Sequence, residues 1–165
     1  MTRVYFAGPD IFRPDHGEHY KIIKKICAAY GLEPLCPGDA DFDEPGRIFR
    51  ANLDLIDRAD GLIANLNPFR SPVEPDSGTV FECAYAYARK KFVIGLIGDQ
   101  TDMLNKLKAA GAGPVSGRDE DPDSGGWRIE NFGRPLNLMI SEALTATASC
   151  LEEAVKIAAG LKWPA

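Results

Sequence analysis

Three stretches decide the fold: Val4-Tyr5-Phe6-Ala7-Gly8-Pro9, Gly61-Leu62-Ile63-Ala64-Asn65-Leu66 and Phe92-Val93-Ile94-Gly95-Leu96-Ile97. Each is a short apolar run rich in β-formers, and none alternates polar with apolar, so each reads as a strand buried on both faces. Gly8-Pro9 is a turn signal that ends the first. Helical patterns separate the strands. His19 to Tyr30 places Tyr20, Ile22, Ile23, Ile26, Cys27 and Tyr30 near helical period, and Gly31 stops it. Leu32 to Leu35 reads as a second strand. Arg47 to Asp60 reads as a helix with Ile48, Phe49, Leu53, Leu55 and Ile56 on its inner side. Ser77 to Arg89, Thr101 to Ala110, Leu136 to Glu142 and Leu151 to Leu161 are further helices. The segments Cys36 to Gly46, Asn67 to Asp76 and Gly111 to Trp127, rich in Pro, Gly and acids, read as loops, the last as a mobile excursion. Strands alternating with helices predict an α/β domain, a parallel sheet covered on both faces, spanning 1–165. Ligands of such sheets bind at the carboxyl ends of the strands, where strand order reverses. The loops Gly8 to Asp15, Asn67 to Asp76 and the stretch after Ile97 are therefore the ones to search.

Composition narrows the chemistry. With 165 residues, 45% apolar and 26% charged, the chain is long enough for a real core. A net charge of −5 argues against a nucleic-acid polymer or an anionic membrane as partner. No apolar run reaches a membrane span, and the first residues lead straight into a strand without a signal-peptide pattern. Cys27, Cys36, Cys83 and Cys150 form no CxxC, and Cys27, Cys83 and Cys150 sit among apolar helical neighbours, which predicts reduced core thiols of a cytoplasmic protein. His16 and His19, the two histidines, read as surface residues with no third ligand near, so no metal site is expected. P-loop, dinucleotide, GxSxG and HExxH signatures are missing. Any catalysis must therefore use carboxylates, amides and hydroxyls.

Pro75-Asp76-Ser77-Gly78-Thr79-Val80-Phe81-Glu82 is the most informative such segment. Asp76 stands at a helix N-cap, and Glu82 is a single acid about two turns in, followed by a run, Cys83 to Ala88, that carries no charge until Arg89. That pattern predicts a mostly buried helix. Burial would raise the Glu82 pKa, while the helix dipole and nearby donors would lower it. An ionised, partly desolvated carboxylate beside a cleft is what a nucleophile requires. The same residues also allow a plain structural reading, with Asp76 only a cap and Glu82 paired to Arg89 or a lysine. Asn52 sits among Ile48, Phe49, Leu55 and Ile56, so its amide needs a partner in either backbone or ligand. The Tyr5 hydroxyl, on the first strand, is well placed to hold a carboxylate near the strand end.

The motifs, taken together, resemble the nucleoside 2-deoxyribosyltransferases. The resemblance is carried by Val4 to Phe12, by Asn52 with Ile56, Ala59 and Asp60, by Asn67-Pro68-Phe69-Arg70, by Pro75 to Thr79 with Phe81-Glu82, and by Gly133-Arg134-Pro135-Leu136-Asn137-Leu138-Met139, in family order across most of the chain. It implies a flavodoxin-like fold and exchange of the base on a 2′-deoxyribonucleoside, a nucleoside-salvage reaction without metal or organic cofactor. By position it implies Glu82 as nucleophile, Asp76 as the acid that helps place sugar and base, and Tyr5 as the residue orienting the nucleophile. Gly8, Phe12, Asn52, Ser77 and Gly78 fall at substrate-binding places. Asn137 and Met139 match residues lent by a neighbouring subunit, so the resemblance implies a homo-oligomer, a dimer or trimer of dimers. Its small-molecule partners would be a 2′-deoxyribonucleoside and a free purine or pyrimidine base. Asn52 stands where some members carry Asp, and an amide cannot be a general acid. A 2′-deoxynucleoside 5′-phosphate N-hydrolase is the nearest rival: Arg70 and Ser71 favour it, and the charge of Asp76 opposes it. A non-catalytic nucleoside or nucleotide sensor would not need Glu82.

Overall fold

The computed structural model describes residues 1–38, 44–116 and 118–161; the middle of the expected loop Cys36 to Gly46 lies outside them. Strand β1 spans Thr2–Ala7, β2 Leu32–Leu35, β3 Gly61–Asn65, β4 Phe92–Leu96 and β5 Ala146–Ala148. They form one sheet in the order β2-β1-β3-β4-β5, and every pairing is parallel. This is the flavodoxin-like order, and the direction of winding reverses between β1 and β3.

The period of two in each strand divides the core into two layers. Val4, Phe6, Ile63 and Ile94 meet Tyr20, Ile23 and Cys27 of helix α1 (His16–Ala29) and Ala154, Val155 and Ala158 of helix α6 (Leu151–Gly160). On the other face Tyr5, Ala7, Leu62, Ala64 and Val93 meet Ile56 of helix α2 (Pro45–Arg58) and Cys83 and Ala86 of helix α3 (Ser77–Ala88). Helices α4 (Met103–Ala109) and α5 (Leu138–Ala143) follow β4. Gly61 carries no side chain for a packing reason: a Cβ there would lie 2.0 Å from the Phe92 ring.

Several local expectations need correction. The edge strand β5 went unread because Ala-Thr-Ala is short and barely apolar; its place is set by the ladder with β4 and by Thr145, whose N–H donates to the Val93 carbonyl at 2.7 Å. Helix α1 starts at His16 rather than His19, after a 3-10 turn at Pro9–Phe12. On α2, Ile56 is buried, whereas Ile48 and Phe49 are exposed. Helix α3, whose one charged residue is Glu82, is not mostly buried. Thr79, Cys83 and Ala86 face inward, while Phe81, Ala84, Tyr87 and Ala88 are open to solvent in the single chain. Cys150 is exposed at the start of α6 instead of in the core; Cys27, Cys36 and Cys83 are buried and form no disulfide.

Candidate functional site

Tyr5 and Glu82 are 77 residues apart in sequence, and the fold brings them together. Tyr5 points from β1 to the α2/α3 face and is fully buried. Glu82, in the second turn of α3, faces β1, and the Tyr5 hydroxyl donates to its Oε1 at 2.7 Å. Glu82 does not pair with Arg89, which instead donates from Nε and Nη2 to the two Asp57 oxygens at 2.7 Å each. Burial drives the Glu82 pKa up to about 7; the Tyr5 hydrogen bond opposes the rise and the nearby Asp76 charge adds to it. The opposing influences read from sequence are thus decided by desolvation. Burial, reinforced by the Glu82 charge, also pushes the Tyr5 phenol far above its ordinary value, so Tyr5 stays a donor at any working pH.

Asp76 is the N-cap of α3. Its Oδ2 accepts from the Thr79 N–H at 2.8 Å and from Thr79 Oγ1 at 2.9 Å, and Thr79 is itself buried. The cap leaves Oδ1 for other work. Ser77 and Gly78, the first residues of α3, are exposed beside it, and a Cβ at Gly78 would lie 3.1 Å from Asp76 Oδ2.

Gly8 follows β1 where space is tight: a Cβ would stand 2.5 Å from Asp10 Oδ2 and 2.9 Å from Asn65 Cβ. Phe12, 61% exposed, stacks on Phe69 with centroids 5.8 Å apart and planes 13° from parallel. The Arg70 guanidinium lies over both rings, 5.2 and 4.7 Å from their centroids. Arg70 holds a positive φ of 54°, uncommon for a residue with a side chain. Asn52 is half-buried on α2, and its side-chain amide forms no hydrogen bond among the described residues.

Asn137 and Met139 stand apart from this group. Asn137 caps α5, its Oδ1 accepting from the Met139 N–H at 3.0 Å, and donates from Nδ2 to Glu130 Oε2 at 2.8 Å. Neither is bonded to Tyr5, Asp76 or Glu82, and Met139 is 77% exposed. Glu130, which also accepts from the Leu138 N–H at 2.5 Å, was not singled out by sequence; no pattern marks an acid seven residues before its partner. His19 was also misread. It is no free surface histidine, since its Nε2 lies 3.2 Å from Asp10 Oδ1.

Among the described residues no cluster of three or more His, Cys, Asp or Glu could hold a metal ion, and no helix is long and apolar enough to cross a membrane.

The sheet order and the tyrosine-held carboxylate between β1 and α3 define an α/β protein of flavodoxin-like order with a desolvated acid beside its central strands. The family model for nucleoside 2-deoxyribosyltransferase matches residues 4–139, and the chain belongs to that family. A 2-desoxiribosyltransferase from Leishmania mexicana is 32% identical and superposes with a TM-score of 0.80, over 96% of this chain and 97% of that one. A 2-deoxyribosyltransferase from Bacillus psychrosaccharolyticus (17% identity, TM-score 0.58, 93% and 90% coverage) shares the fold. So does a CMP N-glycosidase from Clostridium botulinum (16% identity, TM-score 0.50, 94% and 97% coverage). An uncharacterized protein from Schizosaccharomyces pombe is 35% identical over 115 residues, 64% of this chain; the match spans about half, 54%, of that relative's length.

Proposed function

We propose that this protein exchanges the base of a 2′-deoxyribonucleoside through a covalent deoxyribosyl-enzyme, with Glu82 as nucleophile. The observation that carries the reading is the Tyr5–Glu82 contact: a single half-buried acid on α3, desolvated enough to titrate near 7 and held by a buried phenol. A glutamate of raised pKa is a better nucleophile than a freely solvated one, provided it is ionised.

The N-glycosidic bond breaks with oxocarbenium character. One Glu82 oxygen attacks C1′ as the C1′–N bond breaks, and the bonding electrons leave on the base nitrogen. The departing base takes a proton from Asp76, another acid or water; Asn52 cannot supply one. A second base then attacks C1′, the Glu82 carboxylate leaves, and two inversions give net retention. A carboxylate beneath C1′ leaves little room for a 2′-hydroxyl, which accounts for a 2′-deoxy preference. The chemistry calls for no metal or organic cofactor. Gly8, Phe12, Asn52, Ser77 and Gly78 would bound the substrate.

The site is proposed to be completed by a second copy. The exposed face of α3 offers Phe81, Ala84, Tyr87 and Ala88 without a charge, and Met139 extends it across a cavity of about 250 Å³ between α3 and α5. An uncharged apolar face on a helix that also carries the nucleophile is a natural subunit contact.

Arg70 favours a second reading. Its guanidinium has no carboxylate partner among the described residues, so it is free to meet the 5′-phosphate of a nucleotide, as an N-hydrolase would require. One incubation separates the two. A deoxynucleoside, or its 5′-monophosphate, is mixed with a different free base and products are resolved by chromatography. A new nucleoside is the expected result. Free sugar alone, or activity confined to the monophosphate, overturns the transferase reading.

A further inference from the structure

The loops at the carboxyl edge of the sheet are tied together by a polar chain that the proposed chemistry does not use. Asp10 is its hub. Its Oδ2 accepts from Asn65 Nδ2 at 3.0 Å, and its Oδ1 lies 3.2 Å from His19 Nε2. Asn65 Oδ1 accepts in turn from Asn67, at 2.8 Å from Nδ2 and 3.3 Å from the backbone N–H. Asn67 Oδ1 accepts from the Gly98 N–H at 2.8 Å. The chain of contacts therefore runs from α1, across the turn after β1, to the ends of β3 and β4.

Burial strengthens it. The side chains of Asp10 and His19 are only 15% and 22% exposed, above a cavity of about 170 Å³ whose apolar walls include Phe6, Ile23, Ile63 and Leu151. Hydrogen bonds beside an apolar wall hold better than those in open water. The turn is shaped around Asp10 from both sides. Gly8 packs so close to the carboxylate that no Cβ fits, and the Arg13 N–H closes the turn on the Asp10 carbonyl at 3.1 Å. Two residues after the hub comes Phe12, exposed and stacked on Phe69.

We infer that Asp10, clamped by His19 and Asn65, is a positioning residue that fixes the Gly8–Phe12 turn and so presents the Phe12 ring to the base of the bound nucleoside. The inference rests on the transferase reading for its substrate. The hub borders the cavity walled by Phe6, Ile23, Ile63 and Leu151 on the α1/α6 side of the sheet, whereas Glu82 bonds Tyr5 of the other layer, so Asp10 is placed to act on where the substrate sits rather than on the reacting carbon.

The test compares Asp10→Ala, Asp10→Asn, Phe12→Leu and the Asp10→Ala/Phe12→Leu double variant in the full chain. It measures KM and kcat for a deoxynucleoside and amide hydrogen exchange across residues 8–12. Asp10→Ala is expected to raise KM about 10-fold, to leave kcat within about 3-fold, the pattern of lost uniform binding, and to speed exchange in the turn. Asp10→Asn should return KM to within about 3-fold of wild type, since its amide can accept from Asn65 and donate to the His19 tautomer with a lone pair on Nε2. In the Phe12→Leu background the Asp10→Ala change should cost little more, because the two act on one contact. An unchanged KM in folded Asp10→Ala, or effects of Asp10→Ala and Phe12→Leu that multiply, overturns the inference. Should Asp10→Ala not fold, His19→Ala, which removes one of the two clamps, is judged by the same readouts. If the wild type frees no base from any deoxynucleoside, the transferase reading is what fails. Exchange then judges the hub alone: a turn as protected in Asp10→Ala as in wild type overturns it.

Discussion

The two sequence-remote parts of the candidate site are built differently. Tyr5 and Glu82 are held by the interior, on a central strand and on a helix that packs against it. Asn137 and Met139 sit on a surface segment that spends its polar groups on itself: Asn137 on its own helix and on Glu130, and Arg134 on Glu142 at 2.6 Å. Nearby, Lys106 Nζ reaches the Pro135 carbonyl at 3.1 Å. The first part is complete within one chain. The second holds itself in place and makes no hydrogen bond to Tyr5, Asp76 or Glu82, so any part it plays at a site is the proposed one, in a neighbouring copy.

The largest effect should come from breaking the first part. Glu82→Ala is expected to lose at least about 10³-fold in transfer while remaining folded, a barrier increase of about 4 kcal/mol, measured as initial rates of base exchange. Retention of a tenth of the activity would remove Glu82 from the role. Asn137→Ala should also be severely impaired, and refolding the two inactive proteins together should restore activity, because some mixed sites then hold both intact residues. A mixture that stays inactive despite proven subunit exchange would confine Asn137 to its own chain.

Tyr5→Phe sharpens the account of the pKa. The Tyr5 hydrogen bond favours the ionised Glu82, so wild-type kcat/KM should rise with pH through an ascending limb near 7. Without the hydroxyl that limb should move to higher pH. At pH 7 the variant should lose about 10-fold and recover part of it in alkali. A limb that stays in place would mean that Glu82 does not govern it.

How much of this was legible follows the same division. Three apolar runs separated by helical patterns were enough for a parallel sheet, because strands buried on both faces leave an unmistakable pattern. Glu82 was visible as the lone acid in an otherwise uncharged helix, although the helix is half-open rather than buried. What stayed hidden was relational. The β5 strand has almost no pattern of its own, and Glu130, the Asp10–His19 pair and the Phe12–Phe69–Arg70 stack exist only once distant segments meet. Ile48 and Phe49 were assigned inward because hydrophobic periodicity cannot tell a core face from an exposed apolar one, and Phe49 instead meets the exposed Phe81 with centroids 5.8 Å apart.

A desolvated acid should carry a stability cost that a cap does not. Glu82 holds its proton up to about pH 7 in the folded chain but only to about 4.5 when unfolded. Between those values the folded state binds more protons, so its stability falls as pH rises. Glu82→Gln removes the titration and should be more stable than wild type at pH 8, by on the order of 2–3 kcal/mol in denaturant unfolding, with the difference shrinking toward pH 4. A difference independent of pH would contradict the raised pKa.

The smallest expected change is in the second part. Glu130→Ala leaves Asn137 Nδ2 and the Leu138 N–H without their acceptor and should cost about 1–2 kcal/mol of stability. If the segment serves a neighbouring site, KM should also rise a few-fold. A stability loss with KM unchanged would make Glu130 a structural anchor only.

The central claim, that Glu82 carries the sugar between bases, is tested most directly by catching it there. The protein is mixed with a deoxynucleoside in the absence of acceptor base, quenched in acid, digested and mapped by mass spectrometry. A deoxyribosyl adduct is expected on the peptide containing Glu82, absent in Glu82→Ala and discharged when free base is added before the quench. An adduct on another residue, or steady base exchange with no adduct on Glu82 under any quench, would contradict it.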